Sequence, residues 1–213
     1  MNDLRTFSEF STCNYADFLS PTAFMDRGIN NLWSGGPRLV GPAFTVKCEP
    51  GDNLMMHAAI YEAPRGSVVV LDAGDDKFAV AGGNVCAVAK QRGIAGFIID
   101  GVIRDIAEIR DMEFPVYARG VVPKPGKKAK LGELGGSVTC GGITVQTGDI
   151  VVADEDGVVI IAWDEAVRVF EQTRKKVEQE RNQSLEEWQG THSRKIRELV
   201  SELRARSQAG ALL

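Results

Sequence analysis

The sequence is poor in the soft ligands from which protein zinc sites are usually built. It contains two histidines and four cysteines among 213 residues. The cysteines are scattered, with no C-x-x-C pair among them: Cys13, Cys48, Cys86 and Cys140. Because thiolate and imidazole zinc sites draw on clustered cysteines and histidines, the chain is not expected to contain one. Any metal that it binds should be held by oxygen atoms.

The chain also lacks an excess of basic residues and any long apolar segment. Its formal net charge is −4 and its isoelectric point is near 5.3, so no general positive field favours nucleic acid as a partner. No run approaches the ~18 apolar residues of a transmembrane helix, and no basic segment followed by an apolar core opens the sequence. We therefore expect a cytoplasmic protein with reduced thiols and no membrane partner.

Hydrophobic residues make up 44% of the chain and charged residues 25%, with 23 glycines, which is typical of a globular protein with an ample core. The middle of the sequence alternates β and α patterns, and short strand patterns follow one another from Pro115 onward. From residue 164 charge rises and apolar residues recur at helical spacing. The sequence thus predicts an α/β domain over residues 1–163 and a helical extension over residues 164–213.

Turn and cap residues predict several boundaries within the domain. Two short helices are expected to start near Ser11 and Ser20, because serine is a preferred N-cap residue. Residues 39–48 alternate well enough for a strand, which Gly41 and Pro42 are expected to break.

Two other segments carry charge without an evident site. The extension should form two helices joined near Gly190, which pack on the domain or on a neighbouring subunit and so help oligomerisation. Residues 123–130 carry four lysines in a Pro/Gly-rich loop. Such a loop can touch phosphate or RNA, but we expect a solvated surface.

The most informative segment is an apolar run that leads directly to charged residues. Residues 94–99 predict a buried strand, and a turn is expected at residues 100–101. Arg104, Asp105 and Glu108 follow at once. Because open α/β sheets bind ligands beyond the ends of their strands, these charges are candidate site residues.

A glycine pair about twenty residues earlier precedes a helical pattern. Gly82 and Gly83 open it, and the backbone N–H groups of a helix start can hold an anion. A guanidinium, a carboxylate and an anion-binding turn together suit a small keto acid held beside a hard metal ion. The alternatives are an ordinary surface ion pair between Arg104 and Asp105 and a plain glycine turn.

Several motifs give the chain a resemblance to the RraA-like family, which includes divalent-metal-dependent class II pyruvate aldolases. Those enzymes act on 4-hydroxy-4-methyl-2-oxoglutarate and 4-carboxy-4-hydroxy-2-oxoadipate. The resemblance covers about residues 11–162. It is carried by residues 11–17 (STCNYAD), 41–48 (GPAFTVKC), 51–53 (GDN), 100–105 (DGVIRD), 140–145 (CGGITV), 148–149 (GD) and 153–157 (ADEDG).

The resemblance implies a swivelling β/β/α sandwich that assembles as homotrimers or homohexamers with sites at subunit interfaces. It implies that Asp105 holds Mg²⁺ or Mn²⁺ largely through water and that Arg104 contacts the substrate. It also implies that the pyruvate carboxylate is held by the backbone N–H groups of one turn. That turn comprises Gly82, Gly83, Asn84 and Val85.

Two residues bear on the activity that the resemblance implies. Glu108 matches an acidic residue of the aldolases that members known as ribonuclease E inhibitors tend to lack, which favours an enzyme. Gly83 departs from the aldolases, which usually carry an acidic or amide residue there. Backbone anion binding survives that change, whereas substrate selection beyond the pyruvoyl unit is expected to differ.

The expected activity is cleavage of a 4-hydroxy-2-oxo acid to pyruvate and a second keto acid, with oxaloacetate decarboxylation as a side activity. Arg104 and the metal would stabilise the pyruvate enolate. With no well-placed histidine in view, the base is expected to be a metal-linked water oriented by a carboxylate. The candidates, in falling order, are Glu108, Asp72 and Asp17.

Three alternatives stay open at this point. A buried Lys47 would allow a Schiff-base mechanism. The scaffold could also serve another metal-enolate enzyme that acts on a sugar acid or another hydroxy-keto acid. The third alternative, from a different functional class, is a non-catalytic regulator that binds a ribonuclease.

Overall fold

The computed structural model describes residues 4–33 and 35–210 of the chain. The predicted domain and extension also include residues 1–3, 34 and 211–213, which lie outside the described residues. One compact unit ends at Thr173, and a second begins at Arg174. Within the described ranges, no helix is both long and apolar enough to cross a membrane.

The strands are numbered in chain order: β1 (Asn30–Asn31), β2 (Leu39–Lys47), β3 (Val68–Asp72), β4 (Gly96–Ile103), β5 (Val116–Val121), β6 (Glu133–Leu134), β7 (Ser137–Cys140), β8 (Ile143–Gln146), β9 (Ile150–Asp154) and β10 (Gly157–Ile161). The helices are α1 (Thr12–Ala16), α2 (Leu54–Glu62), α3 (Gly83–Arg92), α4 (Ile106–Asp111), α5 (Ala166–Arg181) and α6 (Leu185–Gly210). Short 3₁₀ turns span Leu4–Glu9, Pro21–Ala23 and Trp163–Glu165.

A mixed sheet in the order β1-β5-β4-β3-β2-β9-β10 forms the frame of the first unit. Strands β2 to β5 run parallel, whereas β9 and β10 add antiparallel pairs at the other side of β2. One face of the sheet packs on α2, α3 and α4. The β7–β8 hairpin contributes to the core on the other face, so the predicted β/β/α layering and α/β class are confirmed.

The predicted helix starts near the N-terminus are confirmed, with different lengths. Ser11 caps α1 in a reciprocal arrangement with Asn14, in which each side chain accepts from the other residue's backbone N–H. Ser20 caps only the single 3₁₀ turn of Pro21–Ala23.

The predicted break of the strand at Gly41-Pro42 is wrong, because β2 continues through both residues. Residues 39–42 of β2 pair with β9, and residues 43–47 pair with β3. Pro42, which lacks an N–H, lies where one ladder gives way to the other. A side chain at Gly41 would overlap the carbonyl oxygen of Gly66. The two residues therefore mark a change of partner strand.

The predicted turn at residues 100–101 is wrong as well, because β4 runs on to Ile103. Its register with β5 shifts between Ile99 and Val102, as in a β-bulge. A side chain at Gly101 would overlap the Ala73 Cβ, so only glycine fits this close approach of β3 and β4. The charged residues thus follow the true end of the strand.

The predicted junction of the tail helices at Gly190 is also wrong, since α5 ends at Arg181 and Gly190 lies inside α6. The hydroxyl of Ser184 accepts from the Glu187 N–H at 3.2 Å, and the Ser184 N–H donates to the Glu187 carboxylate at 2.8 Å. This capping box fixes the helix start. The stabilisation from this capping box outweighs the destabilisation caused by a glycine inside the helix, which is about 1 kcal/mol.

The division between the two units falls within α5. Val169 and Thr173 are buried, and the Phe170 ring lies 5.2 Å from that of Phe7 and 5.5 Å from that of Phe10. The start of α5 therefore belongs to the core of the first unit, although charge along the sequence already rises at residue 164.

The β4 bulge yields a prediction on stability. We expect Gly101→Ala to lower the free energy of unfolding by about 1–3 kcal/mol, because the new methyl group must displace Ala73. Gly120→Ala is the matched control, since the nearest atom to its added Cβ is 3.9 Å away. Urea unfolding of both variants tests this. Equal losses would show that close packing at residue 101 is not limiting.

Candidate active site

The end of β4 lies beside residues 79–82, and this contact brings the predicted site residues together. The Val80 N–H donates to the Val102 carbonyl at 3.0 Å, and the Arg104 N–H donates to the Ala81 carbonyl at 3.0 Å. Residues that are about twenty positions apart in sequence are therefore neighbours. The Arg104-Asp105 pair faces the start of α3.

Asp105 has an unusual backbone conformation. It precedes α4 with φ 61° and ψ 39°, a left-handed conformation that costs most residues roughly 1–2 kcal/mol. Its side chain does not cap α4. Instead, its carboxylate accepts from the Gly83 N–H at 3.2 Å and lies 3.3 Å from the Arg104 Nε. The strained backbone thus aims the carboxylate at the neighbouring helix α3.

The glycine pair is explained by the charges that approach it. A Cβ at Gly82 would lie 2.5 Å from the Asp105 Oδ2 and 2.9 Å from the Arg104 Cγ. A Cβ at Gly83 would overlap the Glu108 Oε2. Any larger residue at either position would displace a charged side chain. No side chain caps α3, so its first N–H groups depend on Asp105 or on a ligand.

These residues line one wall of a cleft of about 160 Å³. The predicted residues on this wall are Gly82, Asn84, Val85, Arg104 and Asp105. The predicted Gly83 and Glu108 are not among the lining residues, but they adjoin this wall and lie against each other. The structure therefore brings all seven predicted site residues into one neighbourhood.

The opposite wall was not predicted from the sequence. It is formed by Asn53 and His57 of the α2 region and by Pro125 and Lys128 of the lysine-rich loop. The lysine side chains of this loop are exposed, as expected, although Lys124 lies over the Phe78 ring and the Lys130 Nζ donates to the Pro50 carbonyl. Its backbone, however, is hydrogen-bonded to residues 51 and 79. The view of the segment as simple surface is thus wrong for its main chain.

Asp52 holds that loop in place. Its carboxylate, which is 3% exposed, accepts from the N–H groups of Ala129 at 2.7 Å and Lys130 at 3.1 Å. Burial acts to raise the pKa of Asp52, but these bonds and one from the Leu54 N–H lower it below its ordinary value. The Asn53 N–H also donates to the Lys127 carbonyl at 2.7 Å.

His57 is the functional candidate that sequence reasoning missed. Burial lowers the pKa of its imidazole, and the positive charges of Lys128 and Arg104 lower it further. Both effects favour the neutral form of the ring. The available signal was the spacing of Asn53 and His57, since residues four apart share one face of a helix.

Other candidates do not line this cleft. Asp72 lies in a separate cleft with Asp100 and Arg119. Asp17 lies at the end of α1. Lys47 is exposed at the end of β2, which contradicts the premise of a buried Schiff-base lysine.

Within the described residues, no three carboxylate, histidine or cysteine side chains converge as a metal-binding group. Asp105 is the acidic side chain that lines the cleft. Mg²⁺ fits such a site, because it commonly keeps several waters and binds one or two carboxylates plus substrate oxygens. Mn²⁺ accepts the same oxygen ligands.

Comparisons with known proteins identify the family and the fold of this chain. The RraA-like family model, described as Aldolase/RraA, matches residues 12–160. A relative from Halalkalibacterium halodurans, named "Putative 4-hydroxy-4-methyl-2-oxoglutarate aldolase", is 42% identical over 156 residues, or 70% of this chain and 74% of the relative.

Two solved structures share the fold. An uncharacterized protein from Pseudomonas syringae pv. tomato matches with a TM-score of 0.76 and 28% identity, over 88% of this chain and 92% of that one. The RNA-processing inhibitor RraA from Thermus thermophilis matches with a TM-score of 0.65 and 27% identity, over 71% and 92%. Because the family model covers most of the chain and the fold agrees, this protein belongs to the RraA-like family.

Proposed function

We propose that this chain is a class II aldolase that uses Mg²⁺ or Mn²⁺ to cleave a 4-hydroxy-2-oxo acid into pyruvate and a second keto acid. The observation that carries the proposal is the cleft in which Arg104 and Asp105 lie against the uncapped start of α3. The name of the H. halodurans relative supports the same reaction class.

Cleavage leaves negative charge on the pyruvate enolate. The cleft wall formed by Arg104, Asp105 and the start of α3 carries groups that can stabilise this charge. The first N–H groups of α3 attract the substrate carboxylate. Arg104 places a guanidinium where charge develops on the enolate oxygen. A divalent ion, when bound, would supply Lewis-acid stabilisation of the developing enolate charge. Asp105 would hold that ion, together with water.

The reaction also needs a group that handles the hydroxyl proton. Glu108 Oε2 occupies the space that a side chain at residue 83 would fill, so a carboxylate stands at this turn although Gly83 has no side chain. We assign Glu108 the role of orienting a water that accepts the proton. Oxaloacetate decarboxylation requires the same enolate stabilisation without that proton transfer and is proposed as a side activity.

A second candidate function is a binding role without catalysis. The likeness to the RNA-processing inhibitor from Thermus thermophilis favours it. A binder, however, has no need of a strained aspartate that faces a helix start across a cleft. Sites that store such strain are usually functional, so we place the enzyme first.

The proposed mechanism requires a bound divalent metal. Pyruvate release from 4-hydroxy-4-methyl-2-oxoglutarate and from oxaloacetate should require Mg²⁺ or Mn²⁺ and stop with EDTA. Asp105→Ala should lower both rates about 100-fold or more, because both reactions pass through the enolate. Asp111→Ala is the matched control, since its carboxylate on α4 is 76% exposed. A coupled assay for pyruvate measures the rates of the wild type and of both variants on each of the two substrates.

Turnover that persists in EDTA, or in Asp105→Ala, would contradict the metal-enolate mechanism. If wild-type protein turns over neither compound with any divalent metal, the aldolase proposal fails. A binding role or a different hydroxy-acid substrate would then be the better account.

Comparison of the two substrates separates the role of Glu108 from that of Asp105. Glu108→Gln should lower aldol cleavage about 100-fold while oxaloacetate decarboxylation stays within a few-fold of wild type, since only cleavage needs the hydroxyl proton removed. Gly83→Ala should produce the same selective loss, because its methyl group displaces the Glu108 carboxylate. Parallel kinetics on the two substrates provide the measurement. A proportionate loss of both activities would assign Glu108 to enolate stabilisation.

A further inference from the structure

The unpredicted wall of the cleft carries two polar side chains that the proposed mechanism does not use. Asn53 and His57 lie one helical turn apart and face the wall formed by Arg104 and Asp105. The cleft of about 160 Å³ is narrow, so a substrate held on one wall must also contact the other. A substrate role for this second wall rests on the proposed function, which fixes the pyruvoyl unit at the start of α3.

Asn53 is buried without a structural use for its side chain. It is 5% exposed and occupies the N-cap position of α2, yet its side chain makes no capping bond. That role falls to Asp52, whose carboxylate accepts from the Leu54 N–H at 2.9 Å. Within the described residues, the Asn53 Oδ1 has no hydrogen-bond donor. A buried acceptor left unpaired costs about 1–3 kcal/mol, so it favours a donor from a ligand.

His57 complements this acceptor. Burial and the positive charges of Lys128 and Arg104 lower its pKa and so favour the neutral imidazole. A neutral imidazole has one donor and one acceptor nitrogen, which suits a hydroxyl group that both donates and accepts. A protonated ring would offer two donors and no acceptor.

We propose that His57 and Asn53 form the subsite for the hydroxyl-bearing half of the 4-hydroxy-2-oxo acid. His57 binds the hydroxyl group and thereby positions the bond that breaks. Asn53 accepts a hydrogen bond from the same half of the substrate. This subsite determines substrate specificity, whereas the wall that contains Arg104 and Asp105 stabilises the enolate.

The test compares two reactions that use the two walls differently. Exchange of the pyruvate methyl protons with D₂O, followed by NMR, requires the enolate but no hydroxyl-bearing half. Cleavage of 4-hydroxy-4-methyl-2-oxoglutarate requires both. We expect His57→Leu to lower kcat/KM for cleavage about 10- to 100-fold, since a buried hydrogen bond to the substrate is lost. Methyl exchange should stay within about twofold.

Two further variants complete the experiment. His57→Gln keeps a donor and an acceptor and should recover part of the cleavage rate. His192→Gln, in α6, is the control and should change neither reaction. Thermal unfolding of each variant checks that the fold is kept.

Each other outcome overturns the proposal in a distinct way. Parallel loss of exchange and cleavage in His57→Leu, or failure of both His57 variants to fold, would make His57 structural. No loss of either reaction would leave the subsite without a role. If wild-type protein exchanges pyruvate but cleaves no hydroxylated acid, the subsite assignment fails alone. If it does neither, the proposed function itself has failed.

Discussion

The close approach of the β4 end to the glycine turn is the contact on which the site depends. Backbone hydrogen bonds at Val80 and Arg104 hold the two segments side by side. They succeed because residues 82 and 83 have no side chains to keep Arg104, Asp105 and Glu108 away. A loop alone would not hold three charged groups at this spacing, whereas a buried strand and a helix start are rigid supports.

The opposite wall depends on a different constraint, the burial of a single carboxylate. Asp52 can be buried because three backbone N–H groups satisfy it, two of them from the lysine-rich loop. The same bonds fix the start of α2. One buried charge thus places both the loop and the face that carries Asn53 and His57, and the shape of the cleft depends on it.

Local patterns were sufficient to predict one half of this arrangement. Both patterns are local in sequence: a strand that ends in charged residues, and a glycine pair that precedes a helix. They identified Arg104, Asp105 and the start of α3. The β4 bulge could not be predicted, because it arises from the register with β5 and the proximity of Ala73. The spacing of Asn53 and His57 places them on one face of a helix, but it does not show that this face borders a cleft, which forms only with the distant loop.

Competition between local signals explains the remaining errors. Gly190 is a helix breaker in isolation, but the Ser184–Glu187 capping box is stronger and sets the helix start instead. Pro42 disfavours a central strand, yet it is tolerated where β2 exchanges partners. The metal, the homo-oligomer and the substrate remain predictions, since they depend on molecules that the chain alone does not contain.

The left-handed backbone conformation of Asp105 creates a trade-off between folding stability and the proposed activity at one residue. Glycine would adopt this conformation without strain, so a substitution that relieves the backbone strain at this position also removes the carboxylate. Selection for thermal resistance alone would therefore tend to erase the site. Directed evolution of this chain for heat tolerance would need to hold position 105 fixed and find its gains elsewhere.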